Sequence, residues 1–379
     1  MTEEQAYQVW QTSRLAVPEI YHTVPIGVDM VSLRYRPMLS KEVSMTTSTA
    51  NVYAWTSDVL AALRASLDAH DFEEILPVIL SERYEPGARH GIAVLGDRAL
   101  PEIAIAQDDD GKQHVTVSGA EYYYLPVSHC VEKQLALEHA ERVYCIAPCV
   151  RLLMEGEDRT DRHLYTFFQA EIEWRTENID EVYHVTEAIL ARFAEELLKR
   201  LERRHVAQAT VSRIKALADI PYERLPFAQA RQRVASVGGA TNPHADGDLT
   251  HPEEKALSEA ARAPFWLTDY PDGVRDSLYR RRPDGTFATY DLILPRGLGE
   301  LATGGLRPDS SEDIRRQAKQ LGRSFHPHYA DWKERTQVQT GGLGFGVERL
   351  IRYCAGVSSV HDLRFAHDQG PNSHIGGRS

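Results

Sequence analysis

Cysteine is scarce in this sequence: Cys130, Cys145, Cys149 and Cys354 are the only four among 379 residues. So few in so long a chain read as reduced, buried thiols and exclude a secreted disulfide scaffold. Cys145 and Cys149 share a Cys-x3-Cys spacing, yet no second Cys or His pair stands at zinc-finger distance. Positive charge is also short, with 43 Lys and Arg against 55 Asp and Glu and a net charge of −12. That excludes a generally basic nucleic-acid wrapper but leaves room for a local basic patch. No uncharged apolar run reaches the ~18–20 residues that span a bilayer. The opening Met1-Thr2-Glu3-Glu4 has neither the basic nor the apolar part of a secretory signal. A cytoplasmic protein without membrane contact is expected. Internal repeats are absent too, so no solenoid is implied.

What is present is ordinary globular material, 42% apolar and 26% charged, enough for two or three substructures at ~100–200 residues per domain. Residues 1–50 lack clear periodicity and hold strand-like pieces such as Val31–Tyr35. Val52, Trp55, Val59, Leu60, Leu63 and Leu67 recur at three- and four-residue steps, which predicts a helix. Phe72–Pro77 reads as a strand running into a proline. Ile103–Leu125 reads as a hairpin turned by Asp108-Asp109-Asp110-Gly111, followed by a helix around Ser128–Leu137. Val143–Val150 and Tyr165–Arg175 read as strands joined by a charged loop. A cap at Asn178 or Asp180 opens the longest helix, with Val182, Val185, Ile189, Phe193, Leu197 and Leu201 on one face. Tyr279–Arg282 and Thr286–Leu294 read as a second hairpin around Pro283-Asp284-Gly285. Near the end, Gly341–Gly346 precedes an apolar helix over Val347–Cys354. Hairpins with helices between them predict an α+β fold on a mainly antiparallel sheet.

Three groups of residues could carry chemistry. The glycine-rich stretch lacks the Lys-Ser/Thr of a phosphate-binding P-loop, but Arg349 follows it, and a guanidinium there could grip a phosphate bidentately. Arg151, Arg162, His163 and Phe167 share one hairpin, offering cations for phosphates and a ring face for a base. Asp291, Glu300 and Thr303, with Arg307 beyond, offer the oxygen ligands that Mg²⁺ prefers.

The order of these pieces resembles motifs 1, 2 and 3 of the class II aminoacyl-tRNA synthetases, and most closely the aspartyl/asparaginyl branch. The resemblance runs from about residue 50 to 370. It is carried by Glu141–Tyr144, Pro148 and Arg151, Arg162-His163-Leu164, Phe167–Glu173, Thr268-Asp269-Tyr270-Pro271, Gly299-Glu300, Gly304-Gly305 with Arg307, and Gly342–Arg349. It implies a homodimeric class II catalytic domain over 51–379, with a less defined insertion at about 206–262. It also implies ATP and Mg²⁺ as cofactors. Arg151 would hold the α-phosphate, His163 and Arg349 the γ-phosphate side, and Phe167 would stack on adenine. Asp291, Glu300 and Thr303 would bind Mg²⁺. Glu85 would take the substrate α-amino group. Cys130, Lys133 and Arg307 would line the side-chain pocket, where two cations favour a carboxylate and hence aspartate.

Some positions depart from that pattern. The first 50 residues form an N-terminal extension too short for the anticodon-binding OB barrel, which needs on the order of 100 residues. Leu153 stands where a glutamate is usual, and the loop between Arg151 and Arg162 is long. Cys130 replaces a glutamine, His129 a proline and Leu306 a glutamine, and Arg296 is an extra residue. These changes lie where amino acid and acceptor would sit. The expectation is therefore an ATP-dependent, adenylate-forming ligase that activates aspartate or a close analogue, releasing AMP and pyrophosphate, and passes the acyl group to ammonia, a small amine or another unidentified acceptor. tRNA is the less favoured acceptor. A truncated aspartyl/asparaginyl-tRNA ligase and a non-catalytic ATP-binding paralogue are the alternatives.

Overall fold

The computed structural model describes residues 52–81, 92–95, 102–107, 113–118, 122–152, 160–237, 247–271, 273–275, 278–320 and 327–363. Glu85, Leu153 and the strand-like Val31–Tyr35 lie outside the described residues. The first half contains helix α1 (Val52–Asp68), strands β1 (Glu73–Glu74), β2 (Ala93–Leu95), β3 (Glu102–Gln107), β4 (Gln113–Ser118) and β5 (Tyr122–Tyr124), then α2 (Cys130–Ala136), β6 (Arg142–Val150), β7 (Thr166–Arg175) and α3 (Ile179–Leu201). The second half contains α4 (Gln208–Lys215), β8 (Glu223–Pro226), α5 (Phe227–Ser236), α6 (His251–Ala260), β9 (Phe265–Thr268), β10 (Thr289–Leu294), β11 (Gly299–Leu306), α7 (Ser311–Gln320), α8 (Pro327–Thr336), β12 (Thr340–Gly346) and α9 (Val347–Ala355).

The chain divides into two units. The described part of the smaller, within Leu95–Glu121, is the antiparallel pair β3–β4; the Asp108–Gly111 cluster expected to turn it lies outside the described residues. The larger unit carries an eight-stranded sheet in the order β1-β6-β7-β12-β11-β10-β9-β8. Only its two edge pairings, β1 with β6 and β8 with β9, are parallel. This is the mainly antiparallel α+β architecture that the hairpin pattern predicts.

Strand alternation explains how the sheet separates core from site. On β7, Ala170, Ile172 and Trp174 point into the main core with Leu343 and Phe345 of β12. Helices α1 and α3 cover that side. Trp55, Val59, Leu63 and Leu67 of α1 are buried there beside Ile189, Phe193 and Leu197 of α3, and Ser66 Oγ donates to the Ile189 carbonyl at 2.7 Å. Asn178 caps α3 by accepting from the Asp180 N–H, as its residue type predicts. The opposite face of β7 carries Gln169, Glu171 and Glu173, and β12 sets Gly346, Gly344 and Gly342 directly opposite them. The glycines are there for room. A Cβ on Gly342 would collide with the Glu173 carboxylate and the Ile172 carbonyl.

Two readings of the sequence change. Tyr279–Arg282 is not a strand: it makes one isolated bridge, Arg281 to Phe287, because β10 takes β9 and β11 as its neighbours. The stretch 206–262 supplies edge strand β8 and helix α6, so part of it belongs to the main sheet. The extra Arg296 sits in the β10–β11 turn at φ 68°, and the pairing shifts register between Leu292 and Ile293.

Candidate active site

The polar face of the sheet gathers the described candidate residues; Glu85 is not among them. At one end, Arg151 follows the last residue of β6. Its Nε donates to the Val127 carbonyl at 2.9 Å, its Nη2 lies 3.4 Å from Gln169 Oε1, and its guanidinium carbon stands 5.0 Å from the centre of the Phe167 ring. The predicted phosphate cation and base platform are thus neighbours, held in place by backbone and glutamine contacts.

Arg349, in the first turn of α9, stands half-buried beside Glu300. Its Nη1 donates to Glu300 Oε1 at 3.0 Å and to the Glu300 carbonyl at 2.9 Å. Burial pulls the Arg349 pKa down. Burial also works against the Glu300 charge, but Arg349, Arg162, Arg275 and Arg151 overcome it and hold its pKa at about 2. Arg162 pairs with Glu254 of α6, and its own Nε, buried, has no partner. His163 Nδ1 shares a 2.6 Å hydrogen bond with Thr160 Oγ1, and the ring faces that of His251 at 6.4 Å. Burial, with Arg349 and Arg162 nearby, lowers its pKa to about 3. Four arginines around so few carboxylates make this end a receptor for anionic oxygens.

The expected Mg²⁺ ligands do not all stand open. Thr303 Oγ1 donates to Asp291 Oδ1 at 2.7 Å, while Tyr270 and Arg275 both donate to Oδ2, Arg275 at 2.6 Å. Asp291 is therefore compensated by an arginine, and Thr303 is spent on Asp291. Glu300 differs. Among the described residues, none donates to its second oxygen, Oε2, so Glu300 has an oxygen open to a cation that phosphates also hold, while the Asp291 oxygens and the Thr303 hydroxyl are already paired.

The side-chain pocket lies at the other end. Lys133 of α2 reaches across the sheet: its Nζ donates to Glu171 Oε2 at 2.7 Å and to the Leu343 carbonyl at 2.9 Å, with Glu173 Oε2 at 3.4 Å. Arg307 makes a bidentate pair with Glu173, 2.8 Å at both Nε and Nη2. Burial opposes the Lys133 charge, but Glu171 and Glu173 prevail and raise its pKa. All four groups are buried, and their charges cancel. One donor is left over: Arg307 Nη1 is buried without a partner. Cys130 opens α2 among Ile314, Tyr329 and Trp332, at the edge of this pocket. The two cations were legible in the sequence; the two carboxylates facing them received no role there, although the Gln-x-Glu-x-Glu alternation of β7 is the signal that sets them on one face. Glu254 and Arg275 carried no such signal, because only the tertiary fold brings them in; Tyr270 lay in the Thr268–Pro271 stretch of the resemblance but was given no role there.

The family described as tRNA synthetases class II (D, K and N) matches residues 32–367. The chain belongs to this family. Among its class II relatives is the mitochondrial asparagine–tRNA ligase of Schizosaccharomyces pombe, 26% identical over 321 residues, which cover 82% of this chain and 66% of that one. An asparagine–tRNA ligase of Legionella pneumophila is 27% identical over 252 residues, or 63% of this chain and 53% of the relative. The chain therefore spans between about half and two thirds of the length of these curated relatives. In structure it resembles the class II asparaginyl-tRNA synthetase of Pyrococcus horikoshii complexed with asparaginyl-adenylate, with TM-score 0.65, 22% identity and coverage of 84% and 68% of the two chains. The aspartyl-tRNA synthetase of Entamoeba histolytica gives TM-score 0.61 at 18% identity, covering 88% of this chain and 64% of that one. Among the described residues, no helix is long and apolar enough to cross a membrane.

Proposed function

We propose that this class II domain activates asparagine with ATP, forming asparaginyl-adenylate and pyrophosphate. The observation that carries the choice of amino acid is the closed charge set of Lys133, Arg307, Glu171 and Glu173, with Arg307 Nη1 left unpaired. The two cations were expected to favour a carboxylate. Compensated as they are, they leave a pocket of no net charge, where a second carboxylate would face Glu171 and Glu173. A side-chain amide suits it better. Its carbonyl accepts from Arg307 Nη1, and its NH₂ donates to the glutamates.

At the other end, Arg151 and Arg349 neutralise phosphate oxygens as the α-carboxylate attacks the α-phosphorus and pyrophosphate leaves, while Phe167 offers its ring to the base. This is catalysis by positioning and preorganised charge. Mg²⁺ held by Glu300 and the phosphates would withdraw charge from the leaving pyrophosphate. The names of the relatives support tRNA as the acyl acceptor. The expected transfer to ammonia or a small amine finds no residue among those described that favours it.

The test is ATP–pyrophosphate exchange, first without tRNA and with asparagine and aspartate in turn, then charging of bulk tRNA. Exchange driven by asparagine and lost in Arg349→Ala is the expected outcome. Exchange driven by aspartate alone would reverse the amino-acid assignment. Exchange without tRNA charging would return the acceptor to a small amine.

A further inference from the structure

Behind the side-chain pocket three donors of different kinds come together. A ring nitrogen of His129, the Cys149 sulfur and a Glu171 oxygen all lie within 4.8 Å of one another. The residues are 1%, 0% and 2% exposed. His129 immediately precedes α2, and its side chain makes no capping hydrogen bond. Instead its Nε2 lies 2.7 Å from the Val78 carbonyl. A carbonyl oxygen can only accept, so Nε2 carries the proton and Nδ1 is a bare lone pair. Among the described residues, the buried Nδ1 has no hydrogen-bond partner. A buried acceptor left unmet is costly unless something else satisfies it. An imidazole whose N–H is fixed on a backbone carbonyl, whose second nitrogen is unprotonated and whose ring stands in a cluster with a thiol and a carboxylate, has the make-up of a metal-ligating histidine.

We propose that His129, Cys149 and Glu171 bind one divalent metal ion of the zinc class, separate from any Mg²⁺ that accompanies ATP. The mixed nitrogen, sulfur and oxygen set selects a borderline-soft ion over Mg²⁺ or Ca²⁺, and three protein ligands leave one position open. Ligand atoms around a tetrahedral zinc stand ~3.3–3.8 Å apart, given bond lengths of ~2.0–2.3 Å, so a side-chain movement of about an ångström closes the site. Both Glu171 oxygens already have partners, Oε1 the His129 N–H at 3.1 Å and Oε2 the Lys133 ammonium at 2.7 Å, so the ion shares the carboxylate with them. Lys133 lies on Glu171 Oε2 and Arg151 lies 3.4 Å from Gln169 Oε1, which is itself 3.2 Å from Cys149 Sγ. On binding, Cys149 gives its thiol proton to solvent, and the resulting thiolate with the Glu171 carboxylate offsets the ion's two charges. Glu173, 3.4 Å from Lys133, remains for the lysine.

This inference does not rest on the adenylation reading, and its test reads metal, not turnover. The full chain, stripped with a chelator, is titrated with Co²⁺ and then with Zn²⁺ in competition. The expected result is equimolar binding with a thiolate-to-cobalt charge-transfer absorption that Zn²⁺ displaces. Cys149→Ser abolishes that absorption, His129→Ala weakens binding by at least ~10-fold, and Cys145→Ser, two periods of alternation away on the same strand, changes neither. Circular dichroism reports whether each variant is folded. In the wild type, protection of Cys149 from alkylation by Zn²⁺, read by mass spectrometry, tests the site without any substitution. Absence of the charge-transfer absorption, absence of protection, or binding that Cys149→Ser leaves unchanged would overturn the proposal, while amino-acid-dependent exchange would stand or fall separately.

Discussion

Glu173 holds two cations at once, which makes it the residue where charge, selectivity and stability meet. Glu173→Gln leaves Lys133 and Arg307 with only Glu171 between them, so the pocket gains one net positive charge. Breaking a buried pair in this way is expected to lower stability by ~3–5 kcal/mol, read from urea unfolding. In the same variant the ratio of exchange rates for asparagine over aspartate should move towards aspartate by at least ~10-fold, a change of ~1.4 kcal/mol. An unchanged ratio would show that the closed charge set does not choose the substrate. His163 gives a prediction in pH. Its folded pKa is about 3 against an ordinary 6.5, so between those values the unfolded chain binds a proton that the folded one refuses. The stability it contributes is full above pH 6.5 and is lost as pH falls towards 3. His163→Gln, which cannot titrate, should flatten the fall in unfolding midpoint across that window; an identical slope in both proteins would remove His163 from the account. Arg151, Phe167, His163, Arg349 and Arg307 stand out in the sequence by residue type and order, and Lys133 through the family resemblance alone. Which of them stand free is not legible there. Asp291 looks like an open metal ligand in sequence and is closed by Arg275 and Tyr270, residues 16 and 21 positions away that only the sheet brings back.

At the scale of elements, β12 shows why a glycine-rich strand lies under this site. Gly342, Gly344 and Gly346 oppose Glu173, Glu171 and Gln169, so the strand has backbone but no side chain where the carboxylates lie. Gly342→Ala forces a methyl into the Glu173 carboxylate and the Ile172 carbonyl, and overpacking of that kind costs ~1–3 kcal/mol. Gly346→Ala meets only the Arg349 side chain, at 3.3–3.5 Å. The first variant should lose stability in urea. The second should unfold near the wild-type midpoint yet weaken exchange, since Arg349 must shift. Equal effects on both measurements would mean that the glycines serve the strand alone. The helix α9 beyond it was predictable from its apolar run, and the strand from its place before that helix. The false hairpin at Tyr279–Arg282 has the opposite explanation. Its turn residues are genuine, and Arg282 N–H does donate to the Thr286 carbonyl, but β9 and β11 already occupy both edges of β10 and leave no ladder for a further strand.

For the whole molecule, the exposed apolar residues say most. Leu76 is 92% and Ile79 65% exposed, with Val78 and Leu80 beside them, immediately after β1 at the sheet edge. The segment is anchored, because the Val78 carbonyl accepts from His129 and the Ile75 N–H donates to the Tyr144 carbonyl. The class II resemblance implies a second copy of the chain, and this anchored run of solvent-facing aliphatic side chains is the surface on which that expectation is tested. By contrast, the Val52–Leu67 stripe is buried within the larger unit, against α3, and is not the contact surface. The full chain is therefore expected to sediment as a dimer at micromolar concentration. Leu76→Asp with Ile79→Asp should yield a folded monomer, since both side chains leave the core untouched. A two-fold contact repeats each substitution on both partners and places like charges across the axis. If the monomer also loses amino-acid-dependent exchange, the route lies through Val78, whose carbonyl fixes His129 at the back of the pocket. A wild-type chain that sediments as a monomer would remove the second copy from the account and leave those four aliphatic residues for a different partner.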